Sequence, residues 1–244
     1  MRWRWRGLAF FVLAGCDERV TAPAGIPEGT RQAIVVTAPL WTSTTGGLQR
    51  FERDGERWRP VGRPIAVTVG RTGVAWGPGL HAGVSSEPQK REGDGKSPAG
   101  VFRLDTAFGY ARAAPQGVRY PYRQATERDY FVDDPASGDY NRWVRIENGK
   151  ANEPAARWGS FERMRRADGM YELGVVVRYN AEPVAPRRGS AIFLHVWEGP
   201  GVPTVGCTAM ARDNMLELLR WLDPRRQPVL VQAPAAELGR IQLP

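Results

Sequence analysis

Ser190-Ala-Ile-Phe-Leu-His-Val-Trp197 runs into Glu198-Gly-Pro-Gly-Val-Pro203, then Thr204-Val-Gly-Cys207, and Met215, Leu218, Leu219 and Leu222 follow. The first segment is apolar and rich in branched and aromatic side chains, so it predicts a strand. The second carries two glycines and two prolines and predicts a loop that returns the chain. The last four residues recur at i, i+3, i+4 and i+7 and predict a helix that starts between Thr208 and Asp213 and stops before Pro224. A strand end carrying His195 and a helix start close to Cys207 thus face each other across a short loop. Pro228-Val-Leu-Val-Gln232 predicts a final strand.

Working outward, Ala33-Ile-Val-Val-Thr37, Ile65-Ala-Val-Thr-Val69 and Glu172-Leu-Gly-Val-Val-Val-Arg178 also predict strands. Leu48 to Pro60 predicts a hairpin around Asp54-Gly55. Residues 105–166 have weak periodicity and are expected to form long loops and short elements beside a cleft. Among 244 residues there are 28 glycines and 20 prolines, a turn-rich composition. The expected fold is therefore mainly β, a sandwich or barrel with one or two helices, one of them just after Cys207. With 42% hydrophobic and 25% charged residues, the chain is neither disordered nor a multi-span membrane protein.

The chain opens Met1-Arg-Trp-Arg-Trp-Arg6, continues Leu8-Ala-Phe-Phe-Val-Leu-Ala14 and reaches Gly15-Cys16-Asp17. A basic start, a short apolar core and small residues describe an export signal, and seven apolar residues are too few to span a bilayer. Leu13-Ala14-Gly15-Cys16 resembles the lipobox of bacterial lipoproteins, which implies cleavage before Cys16 and lipidation of its sulfur. The expected organisation is a signal at 1–15, a tether at 16–30, one catalytic domain at 31–233 and a tail at 234–244. The mature protein is expected in the periplasm or cell envelope, held to a membrane by lipid; Asp17 favours the inner membrane by the rule for enteric bacteria.

The formal charge is +8, and all but three of the basic residues are arginine. This reads first as a solvated surface, and otherwise as attraction to an anionic polymer such as cell wall or anionic lipid. It gives little support to nucleic acid as a partner. Two cysteines exclude a disulfide framework or a four-cysteine zinc site, and two histidines leave almost no metal-binding capacity. With Cys16 lipidated, Cys207 is the remaining thiol in an oxidising compartment, where an unpaired cysteine is either inert or reactive. The nearby helix start favours a thiolate, and amides there suit an oxyanion. His195, twelve residues upstream, is the candidate base. Taken alone, His195 reads as a core histidine and Cys207 as a small buried residue; together in an exported chain they read as a catalytic pair.

At this point the sequence resembles the L,D-transpeptidase catalytic domain, the YkuD-like family of cell-wall enzymes. The family's histidine, then Ser/Thr-x-Gly-Cys, matches His195 and Thr204-Val205-Gly206-Cys207. Its Gly-Asp-Gly-x-(Thr/Ser)-Pro-x-Gly-x-Phe segment matches Gly93 to Phe102 within Lys90–Phe102. Asp133-Asp-Pro-Ala-Ser137 with Asp139-Tyr-Asn-Arg142, and Tyr179-Asn180 with Gly189 to His195, are also similar. The resemblance implies a β-sandwich with Cys207 as acylated nucleophile and His195 as base. It further implies a supporting carbonyl near Val196, oxyanion amides from Cys207 and Gly206, and Thr204 in a supporting place. It implies peptidoglycan stem peptides as substrate and neither metal nor organic cofactor; separately, a monomer is expected. Water as acceptor would make it an L,D-carboxypeptidase or amidase; loss of turnover would leave a wall-binding lipoprotein. Two departures stand out: Val196 where many members have Gly or Ser, and Ala209 where many have Arg or Asn. Asp133 and Asp134 are expected to cap turns rather than form an acid pair or a calcium site. His81 is expected in a loop, and Trp197 and Trp221 in the core.

Overall fold

The structure is a computed structural model; it describes residues 26–241 except 56, 85, 87 and 148–152. The expected export signal and Cys16 lie outside the described residues. Among the described residues no helix is long and apolar enough to cross a membrane.

The strands are β1 (Gln32–Ala38), β2 (Thr45–Asp54), β3 (Arg57–Thr68), β4 (Val74–Trp76), β5 (Ser97–Gly109), β6 (Tyr122–Gln124), β7 (Asp129–Val132), β8 (Arg142–Arg145), β9 (Phe161–Arg163), β10 (Leu173–Val177), β11 (Phe193–Val196), β12 (Thr208–Met210) and β13 (Val229–Pro234). Helices are α1 (Glu153–Arg157) and α2 (Arg212–Trp221). Strand pairing runs β10-β11-β12-β3-β2-β1-β13-β5, and β5 pairs again with β10. The sheet therefore closes on itself as a barrel, which removes its free edges. The fold is mainly β, as the composition indicated.

Residues on alternate faces of a strand look opposite ways. In β1, Ile34 and Val36 join the large core cluster that also takes in Met215, Leu218 and Leu219 of α2. Ala33 and Val35 join a second cluster with Phe51, Trp76 and Val231 on the other side. Both faces of β1 are thus covered, which explains its unbroken apolar run. The expected hairpin at Asp54-Gly55 is β2–β3, and Ile65 to Thr68 continues β3 rather than starting a new strand. The residues at the C-terminal side of β13 are packed: Ile241 is buried in the second cluster, so 234–241 is more than a loose tail.

Residues 105–166 contain more order than their sequence suggests. β8, β7 and β9 form a three-stranded sheet beside the barrel, and Phe131 and Met164 pack on Phe108 and Phe193 of the barrel. Asp129 pins this sheet. Its carboxylate accepts from Arg145 (2.7 and 2.9 Å), Arg123 (3.1 Å), Trp143 (2.8 Å) and the Thr126 amide and hydroxyl (2.9 and 2.6 Å). Burial by itself would raise its pKa, but those donors outweigh it and hold the group at about 2. Asp129→Asn is expected to lower stability at pH 7 by about 2–4 kcal/mol, since buried donors lose a charged acceptor. A depressed pKa contributes stability that is full above the ordinary value of 3.8 and is lost as pH falls through about 2. The gap between wild type and variant should therefore narrow between pH 4 and 2 in urea titrations; a pH-independent gap would contradict this account.

Candidate active site

β11 and β12 run parallel, with Leu194 opposite Thr208 and His195 opposite Ala209. Cys207 stands two residues before Ala209 and so on its face of the sheet, the face that carries His195. Both side chains line one cleft of about 270 Å³, and Ala209 lies opposite His195 in register. A small residue at 209 leaves room beside the imidazole.

The sulfur is held in a defined place. The Phe193 amide donates to Cys207 Sγ at 3.3 Å, and the thiol donates to Ala191 O at 3.5 Å. Ala191 has φ +52°, a conformation that costs an L-residue about 1–2 kcal/mol. Asn141 compensates: its side-chain oxygen accepts from the Ala191 amide, and its amide group donates to the carbonyls of Tyr179 and Asn180. Behind the sulfur, Ser97 and Thr204 hydroxyls donate to Cys207 O at 2.7 and 2.6 Å. Gly70 donates its amide to Ser97 Oγ, and a Cβ at Gly70 would lie 2.3 Å from Gly95 O, so only glycine lets these segments meet. The serine of the Gly93–Phe102 stretch thus supports the cysteine's own backbone.

His195 Nδ1 lies 2.7 Å from Val196 O. A carbonyl only accepts, so Nδ1 carries the proton and Nε2 keeps its lone pair. Tyr171 packs edge-on against the ring, with centroids 5.1 Å apart and planes at 74°. Burial lowers the His195 pKa to about 4 and raises the Cys207 thiol to about 12. The resting pair is neutral imidazole and neutral thiol.

Two sequence expectations need correction here. α2 begins at Arg212, inside the expected window, yet strand β12 separates it from Cys207. The helix terminus therefore does not act on the sulfur, and burial sets the thiol pKa in the opposite direction to the expected thiolate. The Gly206 amide donates to Thr204 Oγ1 at 3.1 Å, so it is engaged within the turn rather than free for an oxyanion.

Other residues fall differently from their sequence reading. Asp134 caps turns, accepting from the Ala136 and Gly159 amides. Asp133 instead lines the cleft, with one buried oxygen that has no partner among the described residues. Trp197 also lines the cleft, whereas Trp221 is half-buried against the core and donates to Glu52. His81 is in a loop but buried. Glu92, Glu162, Arg166 and Tyr171 complete the cleft wall and were not singled out in the sequence. Glu162 and Arg166 come from the weakly periodic segment, where no pattern marks them. Burial raises the pKa of both Glu162 and Asp133. Arg166 pairs with Asp168 at 2.6 Å and with Glu162 at 3.3 Å. Among the described residues no group of three or more His, Cys, Asp or Glu is placed to hold a metal.

The fold and site define a class of closed β-barrel in which a histidine on one strand and a cysteine just before the neighbouring parallel strand line a common cleft. The chain belongs to the YkuD family, the L,D-transpeptidase catalytic domain, whose model matches residues 40–231. No curated protein matches the chain in sequence. Among solved structures, Bd1075 of Bdellovibrio bacteriovorus is similar at 13% identity with a TM-score of 0.42; the match covers 90% of this chain and 56% of that one. The chain thus spans little more than half the length of Bd1075.

Proposed function

We propose that the protein is a cysteine acyltransferase acting on peptidoglycan stem peptides. The observation that carries the reading is the shared cleft: Cys207 and His195 open on one hollow, and the His195 tautomer fixed by Val196 O leaves a basic nitrogen. In the proposed reaction Cys207 Sγ attacks the carbonyl of the third stem residue, a diamino acid, at its L-centre. The thiol proton passes to His195 Nε2 as the S–C bond forms. Collapse breaks the C–N bond to the terminal D-amino acid, and the same proton leaves on its amine. The thioester is then attacked by an amine of a second stem, which gives a new amide, or by water, which gives a free carboxylate. The Cys207 amide is the candidate oxyanion donor.

Neutral resting groups suit this sequence of steps. A thiol near 12 and an imidazole near 4 do not exchange a proton at rest, so transfer is coupled to attack on the bound carbonyl. Support for a lipid tether at Cys16, and for an envelope location, comes from the leader sequence. The test is product analysis on defined tetrapeptide stems with and without an acceptor amine. Release of the terminal D-amino acid with a new amide cross-link is expected. Shortened stem alone would make the protein an L,D-carboxypeptidase, and no release would leave a wall-binding protein.

A further inference from the structure

A second hollow, of about 780 Å³, lies beside the cleft and has no part in the chemistry above. Neighbouring stretches of chain line the two. Gln89 lines the larger hollow and Lys90, the next residue, lines the cleft; Asn180 to Arg188 line the larger hollow and Ser190 to Ile192 the cleft.

Arg103, Arg178 and Arg188 line it, and Glu182 is the one carboxylate among its described lining residues. Glu182 pairs with Arg178. Among the described residues Arg103 makes no ion pair, and Arg188 makes none either, its side chain reaching Gln89 Oε1 at 3.4 Å. His81 lines the same hollow and is 7% exposed. Its Nδ1 accepts the Val101 amide at 3.2 Å, so the neutral ring carries its proton on Nε2, which has no partner among the described residues. The backbone is shaped to seat this ring. A Cβ on Gly100 would lie 2.1 Å from His81 Cε1, and one on Gly79 would lie 2.9 Å from Nδ1. Trp76 and Phe102 flank it at 5.9 and 6.1 Å. Among the described residues, an imidazole N–H with no protein acceptor, two guanidiniums outside any ion pair and a volume suited to a small ligand describe a site for an oxyanion.

We infer that this hollow binds a carboxylate-bearing fragment of the peptidoglycan substrate, held by Arg103, Arg188 and His81 Nε2–H, outside the acyl-transfer cleft. The identity of the fragment rests on the proposed function; the preference for a carboxylate oxyanion rests on the hollow itself.

The chain has two histidines, one in each hollow, so the imidazole signals in a proton–carbon NMR spectrum report on the two separately. The experiment titrates Cys207→Ala protein with a disaccharide-tetrapeptide carrying free carboxylates, and in parallel with its amidated counterpart. The expected result is a saturable shift of the His81 signals with the carboxylate probe, at least tenfold weaker with the amidated one. Arg103→Gln/Arg188→Gln should weaken the His81 response at least tenfold while the His195 response is retained, which also shows that the variant is folded. Movement at His195 alone overturns the inference and leaves the catalytic reading standing. Movement at His81 alone upholds it and counts against stem binding in the cleft. A His81 response that the amidated probe or the double variant reproduces in full overturns it.

Discussion

Replacing Cys207 with alanine is expected to abolish release of the terminal D-amino acid from tetrapeptide stems, a loss of about 10⁴-fold or more. No other described residue can take over: Cys207 is the free cysteine among them, and the Ser97 and Thr204 hydroxyls near it are spent on its own carbonyl. The variant should fold, because a single sulfur is removed from a site held mainly by backbone bonds. Mass spectrometry after a carbapenem gives a second readout: wild type should gain one covalent adduct on Cys207 and the variant none. Equal turnover by both proteins would remove the enzyme reading.

The second large effect concerns the resting thiol. With its pKa pushed up to about 12, Cys207 should react with iodoacetamide about two to three orders of magnitude more slowly at pH 7 than a free cysteine, since each unit is tenfold in thiolate. The sign is fixed by burial: the thiol stays protonated below its raised pKa, so the rate should climb with pH through 10 without a plateau. His195→Gln should leave this alkylation profile in place, because the imidazole is neutral above about 4 and forms no ion pair with the sulfur. The same variant should slow stem acylation about 10²–10⁴-fold, the usual range for a general base. A plateau below pH 8 that disappears in His195→Gln would instead reveal a preformed thiolate–imidazolium pair.

Much of this was legible in the sequence for physical reasons. Strands β1, β10, β11 and β13 are covered on both faces, so they read as apolar runs, and the α2 stripe reads because one face alone is buried. The Cys207–His195 pairing could be read because both types are rare and a short loop joins their elements. Strand β5 was missed: Gly100, Arg103 and Asp105 interrupt its pattern, since it borders several strands and the His81 ring. The β7–β9 sheet was missed because its order depends on Asp129 gathering donors from Arg123 to Arg145, a contact no local period announces. The sequence points to the wrong ionisation state of the thiol because the helix that is close in sequence begins only after an intervening strand. Three residues of β12 carry the chain past the sulfur before the helix begins.

Strand β13 lies between β1 and β5, pairing parallel to the first and antiparallel to the second. The N-terminal strand therefore lacks one neighbour until residues 229–234 have been synthesised. Such long-range pairing slows assembly, because the ends of a long chain must meet before the contact is rewarded. Until that strand docks between β1 and β5, the cylinder has an open seam, and the barrel closes only when residues far apart along the chain come together.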